Sequence, residues 1–247
     1  MLRTALAASF LAVGAAHAAS QGPYSVEILV GGSTRPEYAA RGTTYVEAQK
    51  GREYTIRLRN HTGRRVGVAL SVDGLNSIDA KHTKAADGRK WILDPGQTID
   101  LQGWQTSATT ARRFYFTDEK RSYGSWLGRT DDLGVIAAAF FPERVVVEDC
   151  ERIGAAAPQS ESRMRKSEAR DSAATGIGRE TEHRVRRVDF DHDPTPAAVV
   201  SIRYEYRDAL VKLGVLPAEP DDAIARRERA RGFEDDGWAP DPYRRER

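Results

Sequence analysis

Glu53-Tyr54-Thr55-Ile56-Arg57-Leu58-Arg59 puts Tyr54, Ile56 and Leu58 on one side of an extended chain and four polar residues on the other. A period of two belongs to a half-buried strand and not to a helix. The pattern recurs through the front of the chain. Tyr24 to Val30 alternates and is stopped by Gly31-Gly32. Thr43 to Glu47 is β-branched and aromatic. Val66, Val68, Leu70 and Val72 alternate with small residues up to Asp73-Gly74. Trp91-Ile92-Leu93 ends at Asp94-Pro95-Gly96, a strong turn signal. Thr98 to Gln102, Arg113 to Thr117 and the apolar run Val135 to Phe141 complete eight or nine short segments. Their spacing predicts a mainly β fold, an antiparallel β-sandwich of jelly-roll or Ig-like type. No amphipathic helix long enough for a crossover connection occurs before residue 150.

The first twenty residues carry a different signal. Met1-Leu2-Arg3 is followed by an apolar stretch to Ala16 and then Ala16-His17-Ala18-Ala19. A basic start, a short apolar run and small residues at −3 and −1 predict a secretory signal peptide over 1–19, cut after Ala18 or Ala19. The run is too short for a stable membrane anchor, and no later segment reaches spanning length. The expected location is periplasmic or secreted.

The sandwich is expected over 20–150 and a flexible polar insert over 151–181, where the apolar pattern collapses. Residues 182–216 read as a hairpin, with Val185 and Val188-Asp189-Phe190 facing Val199 to Tyr204, followed by a short helix from Tyr206 to Leu213 that ends at Gly214. An isolated hairpin is marginal in water, so this part is expected to pack on the sandwich. Residues 217–247 read as a polar tail, with a second short helix from Asp221 to Arg231 and Trp238 beyond it.

Charge excludes whole classes of partner. Lys and Arg total 38 against 36 Asp and Glu, a net charge of +2, so no basic field points to nucleic acid. One cysteine, Cys150, excludes an internal disulfide framework. There is no H-E-x-x-H zinc helix and no phosphate loop, and Ser122 to Gly128 misses the G-x-S-x-G spacing. No catalytic residue, metal ligand or cofactor is assigned. Asp73 to Asp79 lacks the calcium-loop spacing and reads as a polar turn. Asp189, Asp191, His192 and Asp193 read as a solvated hairpin tip rather than a metal site. Arg163, Arg165, Lys166 and Arg170 are interleaved with acids and read as a solvated linker.

Aromatic residues are the better binding candidates. Trp91, Trp104, Tyr115, Tyr123 and Trp126 fall in or beside loops, where rings can stack on a sugar or a protein partner. Tyr123 and Trp126 sit in a Gly- and Ser-containing loop and are the least explained by core filling; with Trp104 they form the candidate ligand-binding set. The expected function is a non-enzymatic exported protein that binds an unknown protein or glycan. The alternatives are a carbohydrate-binding module using Tyr123 and Trp126, and a hydrolase assembled from separated loops, with Asp73, His82 and Asp94.

Several fragments carry a resemblance. Ser71-Val72-Asp73-Gly74-Leu75-Asn76, Leu93-Asp94-Pro95-Gly96-Gln97 with Gly103-Trp104, and Gly134-Val135-Ile136 with Ala139-Phe140-Phe141 resemble a family of uncharacterised bacterial exported proteins. Gly176 to Glu180, Ile202-Arg203-Tyr204 and Leu213 to Pro217 are similar to that family's back half. The resemblance implies an exported, strand-rich protein whose two strand-rich parts belong together. It implies no activity and carries no site residues.

Overall fold

In a computed structural model, described for residues 19–144, 172–218 and 227, the alternating segments form two facing sheets. The first sheet contains β1 (Ala19–Gln21), β2 (Tyr24–Val30), β3 (Ser33–Thr34), β6 (Glu53–Asn60), β10 (Thr98–Leu101), β11 (Gly103–Gln105), β12 (Thr110–Asp118) and β14 (Ala173–Glu182). The second contains β4 (Glu37–Ala40), β5 (Thr43–Glu47), β7 (Val66–Val72), β8 (Leu75–Asn76), β9 (Trp91–Leu93), β13 (Val135–Pro142) and β15 (Ala198–Glu205). The two sheets are consistent with a β-sandwich and do not close into a barrel.

Alternation decides which side chains meet between the layers. Tyr54, Ile56 and Leu58 of β6 are essentially unexposed, and Val66, Val68, Leu70 and Val72 of β7 answer from the other sheet. Aromatic rings fill the centre: Tyr54 stacks on Phe116 with centroids 4.3 Å apart, and Tyr24 on Phe140 at 4.6 Å. Offset stacking of this kind adds to the area that the rings bury.

Two expectations about the back half are corrected. The insert read over 151–181 ends in a strand: β14 pairs along β12 from Ala173↔Asp118 to Glu182↔Thr110. Ala173-Ala174-Thr175-Gly176 shows no hydrophobic alternation because small residues are what the place accepts. A Cβ at Gly176 would fall 2.3 Å from the Tyr115 ring. The hairpin over 183–206 does not form. Val185 instead packs on the main core, with its N–H donating to Ala108 O at 2.8 Å, and the one β-bridge between 183 and 197 runs from His192 to Glu143 and not to the second arm.

Its second arm instead becomes β15, inserted between β13 and β5. Val200, Ile202 and Tyr204 are buried, and the pairing with β5 is parallel, an exception in an otherwise antiparallel structure. The helix expected at Tyr206 to Leu213 is present as α2 (Arg207–Lys212), with Gly214 at φ +71° beyond its end. Leu210 and Leu216 pack with Tyr45 in a small outer cluster.

The described residues up to Leu216 form one compact unit. The leader up to Ala18, Cys150, the cationic residues 163–170, the helix over 221–231 and Trp238 lie outside the described residues. No helix among the described residues is long and apolar enough to cross a membrane.

Candidate functional site

The loop between β12 and β13 carries the most exposed large apolar side chain among the described residues. α1 (Tyr123–Trp126) is a single turn whose start is capped by Ser122, its Oγ accepting from Ser125 N at 3.0 Å. A side-chain oxygen at that position satisfies one of the free amides of the first turn. The hydroxyls of Ser122 and Ser125 both donate to Glu119 O, at 2.7 and 2.6 Å. So braced, Trp126 stands 77% exposed.

Beneath it the rings form a ladder into the core. Trp126 lies nearly parallel to Tyr123, 14° between planes and 5.7 Å between centroids. Tyr123 is half-buried and rests on Trp104 at 5.0 Å, and Trp104 meets Phe114 edge-on at 5.2 Å. Trp104 is 2% exposed and its indole N–H donates to Gly176 O at 3.2 Å. That corrects its place among the ligand-contacting candidates: Trp104 has no open face and supports Tyr123 instead. Gly103 makes this possible, since a Cβ there would sit 2.0 Å from the Arg112 carbonyl oxygen. Trp91 is also a core residue, donating to Ser77 Oγ at 2.9 Å.

Next to the ladder opens a cleft of about 340 Å³ lined by Ala80, Lys81, His82, Thr83, Leu127 and Arg129. Asn76 braces the loop that bears Ala80 and Lys81, its N–H donating to Lys81 O at 2.9 Å and its carbonyl accepting from Ala80 N at 2.8 Å. Its amide oxygen accepts from Ile78 N at 2.9 Å and its amide nitrogen donates to Arg89 O at 2.9 Å. Asp79 accepts from Lys81 N at 3.2 Å, so Asn76 to Asp79 behave as a polar turn, while the Asp73 carboxylate departs from that reading and bonds distant residues. His82 Nδ1 donates to Gly74 O at 2.9 Å and lies 3.8 Å from Asp132, which ties the two walls together. Lys81 and Arg129 are exposed, and neither makes an ion pair among the described residues. Two free cations, an exposed indole and Leu127 therefore share one end of the sandwich.

Behind the cleft is a buried polar knot that sequence reading missed. Asp73 and Gly74 form the two-residue turn between β7 and β8, both at positive φ (51° and 75°), the geometry of a tight hairpin. The Asp73 carboxylate turns inward and is 2% exposed. Its Oδ1 accepts from Tyr204 OH at 2.5 Å and from Gly134 N at 2.9 Å; its Oδ2 accepts from Thr175 N at 2.7 Å. The Thr175 hydroxyl continues to Tyr204 OH at 2.7 Å and Tyr54 OH at 2.6 Å. Strands β6 and β14 of the first sheet and β15 of the second meet there with the β7–β8 turn. Burial pushes the Asp73 carboxyl up to about 6, while the hydrogen bonds from Tyr204, Thr175 and Gly134 pull the other way. Burial likewise drives the Tyr54 and Tyr204 phenols well up. No local signal marks this group, because its hydrogen-bonded partners are 29 to 131 residues apart.

The knot also separates the residues weighed as a hydrolytic set. Asp73 closes one end of β7, while Asp94 follows Leu93, which pairs with Val66 at the other end. Seven strand residues at about 3.3 Å each put them roughly 23 Å apart. Asp94 lies 3.5 Å from Arg65. Asp73, His82 and Asp94 do not converge. The acids near His192 are also engaged, with Arg144 reaching Asp191 at 3.3 Å and Asp193 at 3.0 Å, while His192 packs on Phe141.

No protein-family model, curated protein or solved structure matches this chain.

Proposed function

We propose that this is a non-enzymatic exported protein that binds an anionic partner in the cell envelope or outside the cell, through the end of the sandwich that carries Trp126 and the Lys81–Arg129 cleft. The observation that carries the reading is a large ring held in the open by a braced ladder. An exposed indole costs solubility unless something covers it, and Trp is a preferred anchor of binding surfaces. Lys81 and Arg129, without protein counter-charges among the described residues, favour a partner that supplies acids.

A glycan reading has its own support. The face of Trp126 turned away from Tyr123 is free to take a sugar ring. An acidic polysaccharide would use ring and cations together.

The test is retention on immobilised acidic polysaccharides, neutral polysaccharides and acidic polypeptides, for the native protein, Trp126→Ala and the Lys81→Glu/Arg129→Glu pair. Expected is salt-sensitive retention that each variant weakens about tenfold. Retention indifferent to both variants overturns the site. Hydrolysis of ester, peptide or glycoside substrates by purified protein overturns the non-enzymatic reading.

A further inference from the structure

The start of the described chain lies against an unbalanced acid. Ala19 opens β1, pairs with Val26 of β2 and is 7% exposed. Gln21 fastens the same strand, its side-chain carbonyl accepting from Val199 N at 2.6 Å. Facing this corner is Glu37, the first residue of β4, opposite Val46 of β5. Both of its carboxylate oxygens are buried and neither has a hydrogen-bond partner. Burial, with repulsion from Glu27, lifts its pKa to about 7, and the Ala19 backbone N–H is the group that pulls it back. No hydrogen bond from that amide to either carboxylate oxygen is made.

The neighbouring cations are turned toward other acids, Arg59 bonding Glu27 at 3.0 Å and Arg35 lying 3.6 Å from Glu47, and each keeps a buried Nε without a partner. A buried carboxyl with no partner is strongly disfavoured in its ionised form, so such groups are rare in a finished fold. In the unprocessed chain the Ala19 nitrogen is an amide with one proton and no charge. Hydrolysis of the Ala18–Ala19 bond changes it. Water adds across the bond, Ala18 leaves with the new carboxylate, and the Ala19 nitrogen takes up a proton to become an ammonium with three donors.

We propose that Glu37 is the receiving site for the α-ammonium of Ala19, created when a leader peptidase hydrolyses the Ala18–Ala19 bond, and that this ion pair fastens β1 into the sandwich. The inference rests on the export reading above and selects one of the two cleavage positions. A cut after Ala19 would start the chain at exposed Ser20, about 3.3 Å further along the strand, and leave Glu37 alone.

Two arms separate the cut from the pairing. N-terminal sequencing of the full chain exported by a bacterial host is expected to read Ala19-Ser20-Gln21; a start at Ser20, or an uncut leader, overturns the proposal at the export step. For the pairing, protein starting at Ala19 is released from a fusion and compared with a form retaining Ala18. The extra residue is expected to raise the unfolding equilibrium constant in urea about tenfold or more, and the two forms to differ less than twofold in a Glu37→Gln background. Equal differences in both backgrounds, or none in the native one, overturn the pairing. Should Glu37→Gln not fold, NMR titration of the Ala19 amine decides. A value at least one unit above the ordinary ~8 supports the pair, and an ordinary value overturns it.

Discussion

The knot at Asp73 and the ladder at Trp126 lie at one end of the same sandwich and use similar residues for opposite ends. Both combine rings with polar neighbours. In the knot each carboxylate oxygen of Asp73 is matched by donors, and the tyrosines are wholly enclosed. At the ladder the rings climb from enclosed Trp104 to open Trp126, beside cations with no counter-charge among the described residues. Polar groups that answer one another hold a fold together; those left unanswered on a rigid support are available to a partner. The two regions are also joined, because Gly134, which ends the ladder's loop, donates to Asp73.

Asp73→Ala should break the comparison hardest. It strands the Gly134 and Thr175 amides, leaves the Tyr204 hydroxyl with Thr175 alone, and should cost on the order of 3–5 kcal/mol in urea unfolding. A loss below about 1 kcal/mol would mean that the knot is not what joins the sheets.

The pH dependence of the same group comes next. Its carboxyl is raised in the folded chain, from 3.8 to about 6, so the folded state holds the proton more tightly than the unfolded one. The stabilising contribution is complete below about pH 4 and is lost as pH rises through 6. Native protein should therefore lose about 3 kcal/mol relative to Asp73→Asn over that window, read from unfolding at a series of pH values. Glu37, which is also raised, titrates in both proteins and cancels.

Gly103→Ala tests the foot of the ladder. The added methyl meets the Arg112 carbonyl and must push β11 off β12, at about 1–3 kcal/mol, with a change in Trp104 fluorescence. The smallest effect on stability belongs to Trp126→Ala: a change within about 0.5 kcal/mol on thermal unfolding, together with lost retention on an acidic matrix. A large loss of stability would instead make Trp126 a packing residue.

Legibility in the sequence followed locality. The front strands could be read because Tyr54, Ile56 and Leu58 declare their face within seven residues, and Asp94-Pro95-Gly96 declares its turn. Trp126 stood out because a glycine- and serine-containing loop offers a ring little to pack against. Asp73 could not be found this way: as a turn residue it needs no other explanation, and its partners lie 61 to 131 positions away. β14 escaped because Ala-Ala-Thr-Gly shows no alternation when the neighbouring rings supply the bulk. β15 was visible as a strand but not in its place, since a parallel neighbour leaves no turn between the two segments.

The position of β15 bears on the order of assembly. Synthesised near the end of the described chain, it occupies the middle of its sheet, with β5 on one side and β13 on the other. Until residue 205 is available those two strands have no bridge, and each presents an unsatisfied edge of the kind that recruits other chains. Closure over such separations makes maturation slow, and a chain shortened before 198 would lose the keystone of one layer rather than a peripheral strand.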